Sequence, residues 1–247
     1  MLTPLYRRMG PMGMAWGGAF SPLSLSPALW LKADAITGLS DDAYIASWAD
    51  SSGNNRNATQ AGADSLKPKY RTNVLNGQPV VRYDGSDYLD VAITLAQPFT
   101  VVLVGATRGN SKPPEIDAGL SDYFFDAQGS ASRVTIARNW NATNGNEYAA
   151  FSGTALLFTD AAIDDAYVIW TATFAGASGV LRTNGTQRAA GNIGTNNLAS
   201  LRIGARYTAS NFLVGDIAEI IVVASLSDAN RAALEQYAAA KYAITIA

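Results

Sequence analysis

Nucleophilic and acid–base chemistry has few starting points in this chain. It contains no Cys and no His, which removes disulfides, thiolate nucleophiles, Ser-His and Cys-His relays and nearly all zinc sites. Any metal would have to be held by oxygen. Asp50-Ser-Ser-Gly-Asn54 sets side-chain oxygens at alternate positions, Asp50, Ser52 and Asn54, a spacing that resembles part of a calcium loop. A plain turn is the competing reading, and Asp84-Gly85-Ser-Asp87 is turn chemistry of the same kind. No cofactor is expected, with calcium at the first of these loops the single candidate.

Recognition chemistry has a better starting point. Sugars stack their apolar faces on aromatic rings, while amides and carboxylates take their hydroxyls. In Arg138-Asn-Trp-Asn-Ala-Thr-Asn-Gly-Asn146, Trp140 is bracketed by Asn139, Asn141, Asn144 and Asn146. This segment is the candidate glycan-binding loop; its competitor is a polar turn whose Trp folds back onto the protein. Composition agrees with a recognition surface: hydrophobic residues make up 48% of the 247 residues and charged residues only 15%, with 22 Gly. Such a surface is mostly neutral and hydrogen-bonding, suited to hydroxyls or to tight subunit packing. A net charge of −2, with no run of Lys and Arg, argues against binding a phosphate backbone. No nucleic acid partner is expected.

Those residues need strands to hold them. From Ser26 onward the pattern is of short strands separated by Gly, Asn, Asp and Pro turns: 28–33, 78–83, 88–91, 99–107, 123–126, 133–138, 148–151, 167–174, 179–183, 200–205 and 215–223. In Tyr167-Val-Ile-Trp-Thr-Ala-Thr-Phe174 the alternation puts Val168, Trp170, Ala172 and Phe174 on a core face and Tyr167, Ile169, Thr171 and Thr173 on a half-exposed one. Asn184-Gly185 is a two-residue hairpin signal, since both positions need positive φ. One helix is expected, over 229–242, with Ser227-Asp228 as its N-cap and acidic first turn. Trp30 and Trp48 sit among apolar neighbours and are read as core fillers.

Residues 1–26 form a separate arm ahead of a sandwich domain at 27–247. The arm's Arg7, Arg8, Met9, Met12, Met14, Trp16 and Phe20 combine two cations with flexible apolar contacts, the chemistry of an anchor. A signal peptide competes for the same stretch, but Gly10, Pro11, Gly13, Gly17 and Gly18 leave no continuous apolar region and nothing approaching a membrane span. No membrane partner is expected.

Two stretches carry a family likeness. The front one comprises Ala28-Leu-Trp-Leu-Lys-Ala-Asp34, Ser47-Trp-Ala-Asp-Ser-Ser-Gly-Asn54 and Asn73-Val-Leu-Asn-Gly-Gln-Pro-Val-Val-Arg-Tyr-Asp-Gly85. The rear one comprises Phe174 to Gly185, Leu201-Arg-Ile-Gly204, Gly215-Asp-Ile-Ala-Glu-Ile-Ile-Val222 and the closing Leu226 to Tyr237 segment. Together they resemble the concanavalin A-like lectin/glucanase superfamily, in its laminin-G-like branch of bacterial surface and phage virion proteins. The resemblance implies an all-β, two-sheet antiparallel jelly-roll with a short C-terminal helix. It does not choose among lectins, glycosidases and adhesion modules, which share that fold.

The glucanase branch sets two Glu about four positions apart around an Asp, one as nucleophile and one as acid/base. Glu115-Ile-Asp117 imitates the opening of that motif, but Gly119 and Leu120 stand where the second carboxylate belongs, and Pro113-Pro114 suits a loop. The other Glu, at 147, 219 and 235, form no such pair. The expectation is therefore a non-catalytic, oligomeric protein of a virion surface, decorating a capsid or serving adhesion at a tail. Its partners would be other virion proteins or copies of itself, and cell-surface glycans. A secreted or cell-surface carbohydrate-binding module, hence extracellular, is the alternative; a glycoside hydrolase is disfavoured.

Overall fold

A computed structural model describes residues 20–108, 122–138, 147–163 and 165–247. Sixteen strands follow in chain order: β1 (Leu29–Lys32), β2 (Ser47–Trp48), β3 (Ala58–Thr59), β4 (Lys69–Leu75), β5 (Gln78–Asp84), β6 (Leu89–Leu95), β7 (Phe99–Thr107), β8 (Asp122–Asp126), β9 (Thr135–Arg138), β10 (Glu147–Phe151), β11 (Ala155–Thr159), β12 (Val168–Phe174), β13 (Gly179–Thr183), β14 (Thr186–Gly191), β15 (Leu198–Ile203) and β16 (Val214–Ala224). The helix α1 (Asp228–Tyr242) comes last, the one α-helix among the described residues.

The strands form two sheets that pack face to face, and every pairing is antiparallel. The first sheet runs β14-β13-β12-β7-β16-β5-β4, with β1 alongside β16; the second runs β11-β10-β9-β8-β15-β6-β3-β2. The core between them is filled by large side chains from both, among them Trp48, Trp170, Phe124 and the stacked rings of Phe99 and Phe174, 4.9 Å apart. The architecture is the two-sheet antiparallel sandwich with a closing helix that the sequence pattern leads one to expect. The hairpin also forms as read: Asn184 at φ 49° and Gly185 at φ 78° join β13 to β14.

A second apolar layer lies on the outer face of the first sheet, where α1 packs across β7, β12 and β16. Ser227 caps the helix by accepting from Asn230 N, and Leu234, Ala238 and Tyr242 are its buried face. Under it lie Val102, Val104, Ile169 and Ile221. This layer corrects the expected half-exposed face of β12: Ile169 and Thr171 are 0% and 1% exposed, because the helix shields them from water. All nine residues of β7 are buried for the same reason. Trp48 fills the main core as expected, whereas Trp30 belongs to this second layer.

A bulge in β16 between Ile217 and Glu219 adjusts the alternation. Ile217, Ile220 and Val222 point into the sandwich, while Ala218 and Glu219 both turn toward the helix. Four strands escaped the sequence reading, β2, β3, β4 and β11, and β14 was legible only as the polar second arm of the Asn184-Gly185 hairpin. They are two-residue pieces or carry polar, exposed positions, and β4 breaks register between Arg71 and Leu75, with Asn73 at φ 54°.

Candidate functional site

The outer face of the second sheet gathers arginines and aromatic rings from β8, β10 and β15 and from the loop segments at Tyr88, Arg133 and Arg206-Tyr207. In β15 and β6, Arg202 and Asp90 sit directly across the ladder, and the guanidinium grips the carboxylate through Nε and Nη2, both at 2.8 Å. The same guanidinium lies 4.4 Å from the Tyr88 ring centre and donates to the Tyr207 carbonyl at 3.0 Å. A bidentate fork over a ring holds a planar group rigidly at half-exposure.

Beside it, a register shift between Tyr123 and Phe125 of β8 sends Phe124 and Phe125 into the core and leaves Tyr123 facing outward toward Arg133. The Arg133 guanidinium is 5.2 Å from the Tyr207 ring, 5.4 Å from Phe151 and 5.7 Å from Tyr123. It donates to the buried Asp126 carboxylate at 2.9 Å, which also accepts from Ala127 N and Tyr207 N. Burial pushes Asp126 up to about 6, against the pull of Arg133. Arg206 completes the group, its guanidinium 5.0 Å from the Tyr207 ring.

Along β15 this patch adjoins an open groove of about 380 Å³, lined by Arg56, Ala92, Thr94 and Ser200. Ser200, at φ 64°, stands alone opposite Ala92 and Ile93 where β15 and β6 slip register, two positions from Arg202. Rings, guanidinium planes and hydroxyls therefore line one continuous surface across β6, β15 and β8. Its two carboxylates, Asp90 and Asp126, are each committed to an arginine. Such a surface can stack on and hydrogen-bond a flat, hydroxyl-rich ligand.

The expected site residues fall in three places. Trp140, Asn139, Asn141, Asn144 and Asn146 lie outside the described residues, as do Glu115 and Asp117 and, in the arm, Arg7, Arg8, Met9, Met12, Met14 and Trp16. The strands that bracket the Trp140 segment are described: β9 ends at Arg138, which pairs with Asp122 at 3.6 Å, and β10 begins at Glu147. Phe20 is described and exposed, with its ring 6.4 Å from that of Tyr237 on α1. Together with Ala233, Gln236, Ala240 and Lys241 it lines an open groove of about 560 Å³.

The third place is the Asp50 loop. The structure brings Asp50, Ser52 and Asn54 together, but around protein donors. Asp50 accepts from Trp30 N (3.0 Å), Ser52 N (2.9 Å), Ser52 Oγ (2.7 Å) and Arg56 N (3.0 Å). Burial would raise this carboxyl, but the backbone N–H groups of Ser52, Trp30 and Arg56 and the Ser52 hydroxyl outweigh it and hold it below the usual range. Asn54 turns its amide to the carbonyls of Pro27 and Ala28. These oxygens lock the loop to β1, and no group of three or more acidic side chains suited to a metal ion occurs among the described residues.

Sequence reading missed Arg133, Arg202, Arg206, Tyr88, Tyr123 and Tyr207 as a site, because they are scattered over 120 positions and meet only through strand order. A local signal existed: Tyr88 and Asp90 occupy alternate positions flanking the buried Leu89, and Arg202 alternates with the buried Leu201 and Ile203. Charge and aromaticity on an outward phase mark a face that is more than solvent-covered.

Neither a protein-family model nor a curated protein matches the chain. Solved structures do resemble it in fold. A crystal structure of the botulinum neurotoxin serotype D binding domain superposes with a TM-score of 0.62 at 11% identity, over 88% of this chain and 53% of that one. The botulinum neurotoxin type G receptor binding domain gives 0.58 at 13% identity, over 86% and 51%. A Trypanosoma rangeli sialidase in complex with sialic acid gives 0.53 at 11% identity, over 84% and 32%. The chain thus spans about half the length of the neurotoxin domains and a third of the sialidase. At these identities the likeness concerns the β-sandwich fold alone.

Proposed function

We propose that this protein is a non-catalytic adhesion module of the concanavalin A-like kind, which binds glycans on the outer face of its second sheet and is displayed on a virion surface through its N-terminal arm. The observation that carries the binding half is the row Tyr88–Arg202–Tyr207–Arg133, half-buried rings interleaved with rigid guanidinium groups beside an open groove, with the buried Tyr123 ring against Arg133. Sugar rings stack on such surfaces, and the neighbouring hydroxyls and amides take their polar edges. The Trp140 segment, which follows β9 and precedes β10 in the chain, is part of the proposed glycan site. Support from fold is indirect: two of the similar structures are receptor or binding domains of neurotoxins and one is a sialidase holding sialic acid.

The absence of His and Cys and the commitment of Asp90 and Asp126 to arginines support binding without turnover. For display, support comes from Phe20, the one expected anchoring residue among the described residues, which lies against Tyr237 beside the α1 groove, on the other sheet from the proposed glycan face. The test of binding is a glycan array probed with the wild-type chain and with Tyr88→Ala and Tyr207→Ala. Retention of a defined set of glycans, weakened about tenfold or more by either variant, is expected from the loss of one stacking ring. Retention of none rejects the reading, and release of reducing ends from a bound polysaccharide rejects the non-catalytic part.

A further inference from the structure

Arg206 is the one arginine of the glycan face with no acceptor of its own. Arg202 is gripped by Asp90 and Arg133 by Asp126, so three guanidinium groups face two carboxylates. Arg206 carries no ion pair among the described residues, and its Nε is shielded from water with no hydrogen-bond partner. A shielded N–H without an acceptor is destabilising and rare in folded proteins, so one that persists calls for a physical reason.

The group is also held in place. Tyr207 lies beneath it at 5.0 Å, with Arg133 on the same ring at 5.2 Å. The loop folds back on itself through Arg206 N to the Ser210 carbonyl (3.0 Å) and Ala209 N to the Arg206 carbonyl (2.9 Å). Leu213 N to the Gly204 carbonyl (2.8 Å) closes its base. At its rim the Thr208 and Ser210 hydroxyls sit 2.7 Å apart. A fixed, uncompensated fork beside a ring and two hydroxyls matches a planar anion that is part of a hydroxylated ring. A polyphosphate backbone would want several free cations in a row, and here the neighbouring arginines are already neutralised.

Resting on the glycan-binding reading, we propose that Arg206 is a carboxylate-recognition residue, and that the ligands of this face are acidic glycans carrying a uronic acid or another sugar acid. The carboxylate would take the place of the missing acceptor at Arg206, with the sugar ring against Tyr207 and its hydroxyls within reach of Thr208 and Ser210.

The experiment uses the full chain on an array of oligogalacturonates and of oligosaccharides ending in glucuronic or sialic acid. Each is printed beside its methyl ester, with sulfated neutral oligosaccharides as a further arm. The expected result is a preference of about tenfold or more for the free acid over its ester, reduced to about one by Arg206→Gln and partly kept by Arg206→Lys, with melting temperatures unchanged. An undiminished preference in Arg206→Gln overturns the proposal. So does equal loss of acid and ester binding, or a wild type that prefers sulfated sugars. A wild type that binds only neutral glycans overturns it while leaving the adhesion reading intact, whereas binding of no glycan removes both.

Discussion

Glu219 shows how one side chain can decide whether a layer forms. It is 1% exposed, yet four donors reach it: the Trp30 indole, Tyr237 Oη (3.1 Å), Tyr242 Oη (2.7 Å) and Lys241 Nζ (2.9 Å). Burial, joined by the adjacent carboxylate, pushes both tyrosine hydroxyls well above their ordinary range, so they remain donors at any working pH. Glu219→Ala leaves the Trp30 indole and the Tyr237 hydroxyl without this acceptor and Lys241 with Asp34 alone, and should cost about 3–5 kcal/mol; Glu219→Gln keeps one acceptor oxygen and should cost roughly half as much. Urea unfolding of the two variants checks the order, and equal losses would contradict it. Asp87 behaves oppositely. It is 2% exposed, and burial raises it to about 7 while Asp84 N and Ser86 Oγ donate to it. With a folded value of about 7 against 3.8 unfolded, the native state binds the proton more tightly, so this group's contribution to stability falls as pH rises between those values. Asp126 acts the same way up to about 6. Asp87→Asn should flatten part of that fall and stabilise the protein at pH 8 by about 1–3 kcal/mol, with little change at pH 4. Thermal melts at the two pH values would read it, and an unchanged slope counts against it.

At the scale of elements, legibility followed burial. Strands with a continuous apolar run or a clean alternation, such as β7, β12, β13 and β16, stand in the sequence within a residue of their observed ends. By contrast β4, held by pairing to β5, left little trace of its own, and β14 was legible only through the turn that joins it to β13. The helix was readable because its cap, Ser227, is local chemistry. What it covers was not, since burial of β12 on both faces depends on a segment 60 residues away. Leu234→Ala, in the middle of the buried helix face at 0% exposure, should therefore destabilise by about 2–4 kcal/mol. Dye binding to the uncovered outer face of the first sheet should rise with it. Gly204 is the sharper case. It ends β15 at φ +86°, and a Cβ there would stand 2.3 Å from the Tyr83 ring, itself fully buried. Gly204→Ala should cost more than about 3 kcal/mol, because left-handed backbone strain adds to a clash with a side chain that has nowhere to move. Soluble yield and the denaturation midpoint measure it; a near-neutral Ala variant would show that Tyr83 can yield.

For the whole molecule, the proposed function would divide the labour between the two outer faces of the sandwich, and the residues of that division were the least legible part. The acceptor for Arg202 is 112 positions away, and Tyr207 meets Arg133 across 74, so the proposed ligand face exists only once the strands of the second sheet are assembled. The first sheet cannot compete for ligand, because α1 occupies its outer surface and Phe20 rests on that helix. An anchor at the helix side and a glycan at the other sheet would leave both surfaces usable at once, which is what display on a particle requires. The arrangement predicts that the two functions separate. Among the described residues both cores begin at or after Leu25, so the chain shortened by residues 1–20 should fold with a melting temperature within a few degrees of the full one. It should keep its glycan profile and lose incorporation into its particle. Co-sedimentation with particles and the same array measure the two halves on one preparation. Undiminished incorporation would place assembly on the sandwich itself, and a lost glycan profile would mean that the arm contributes to the ligand face.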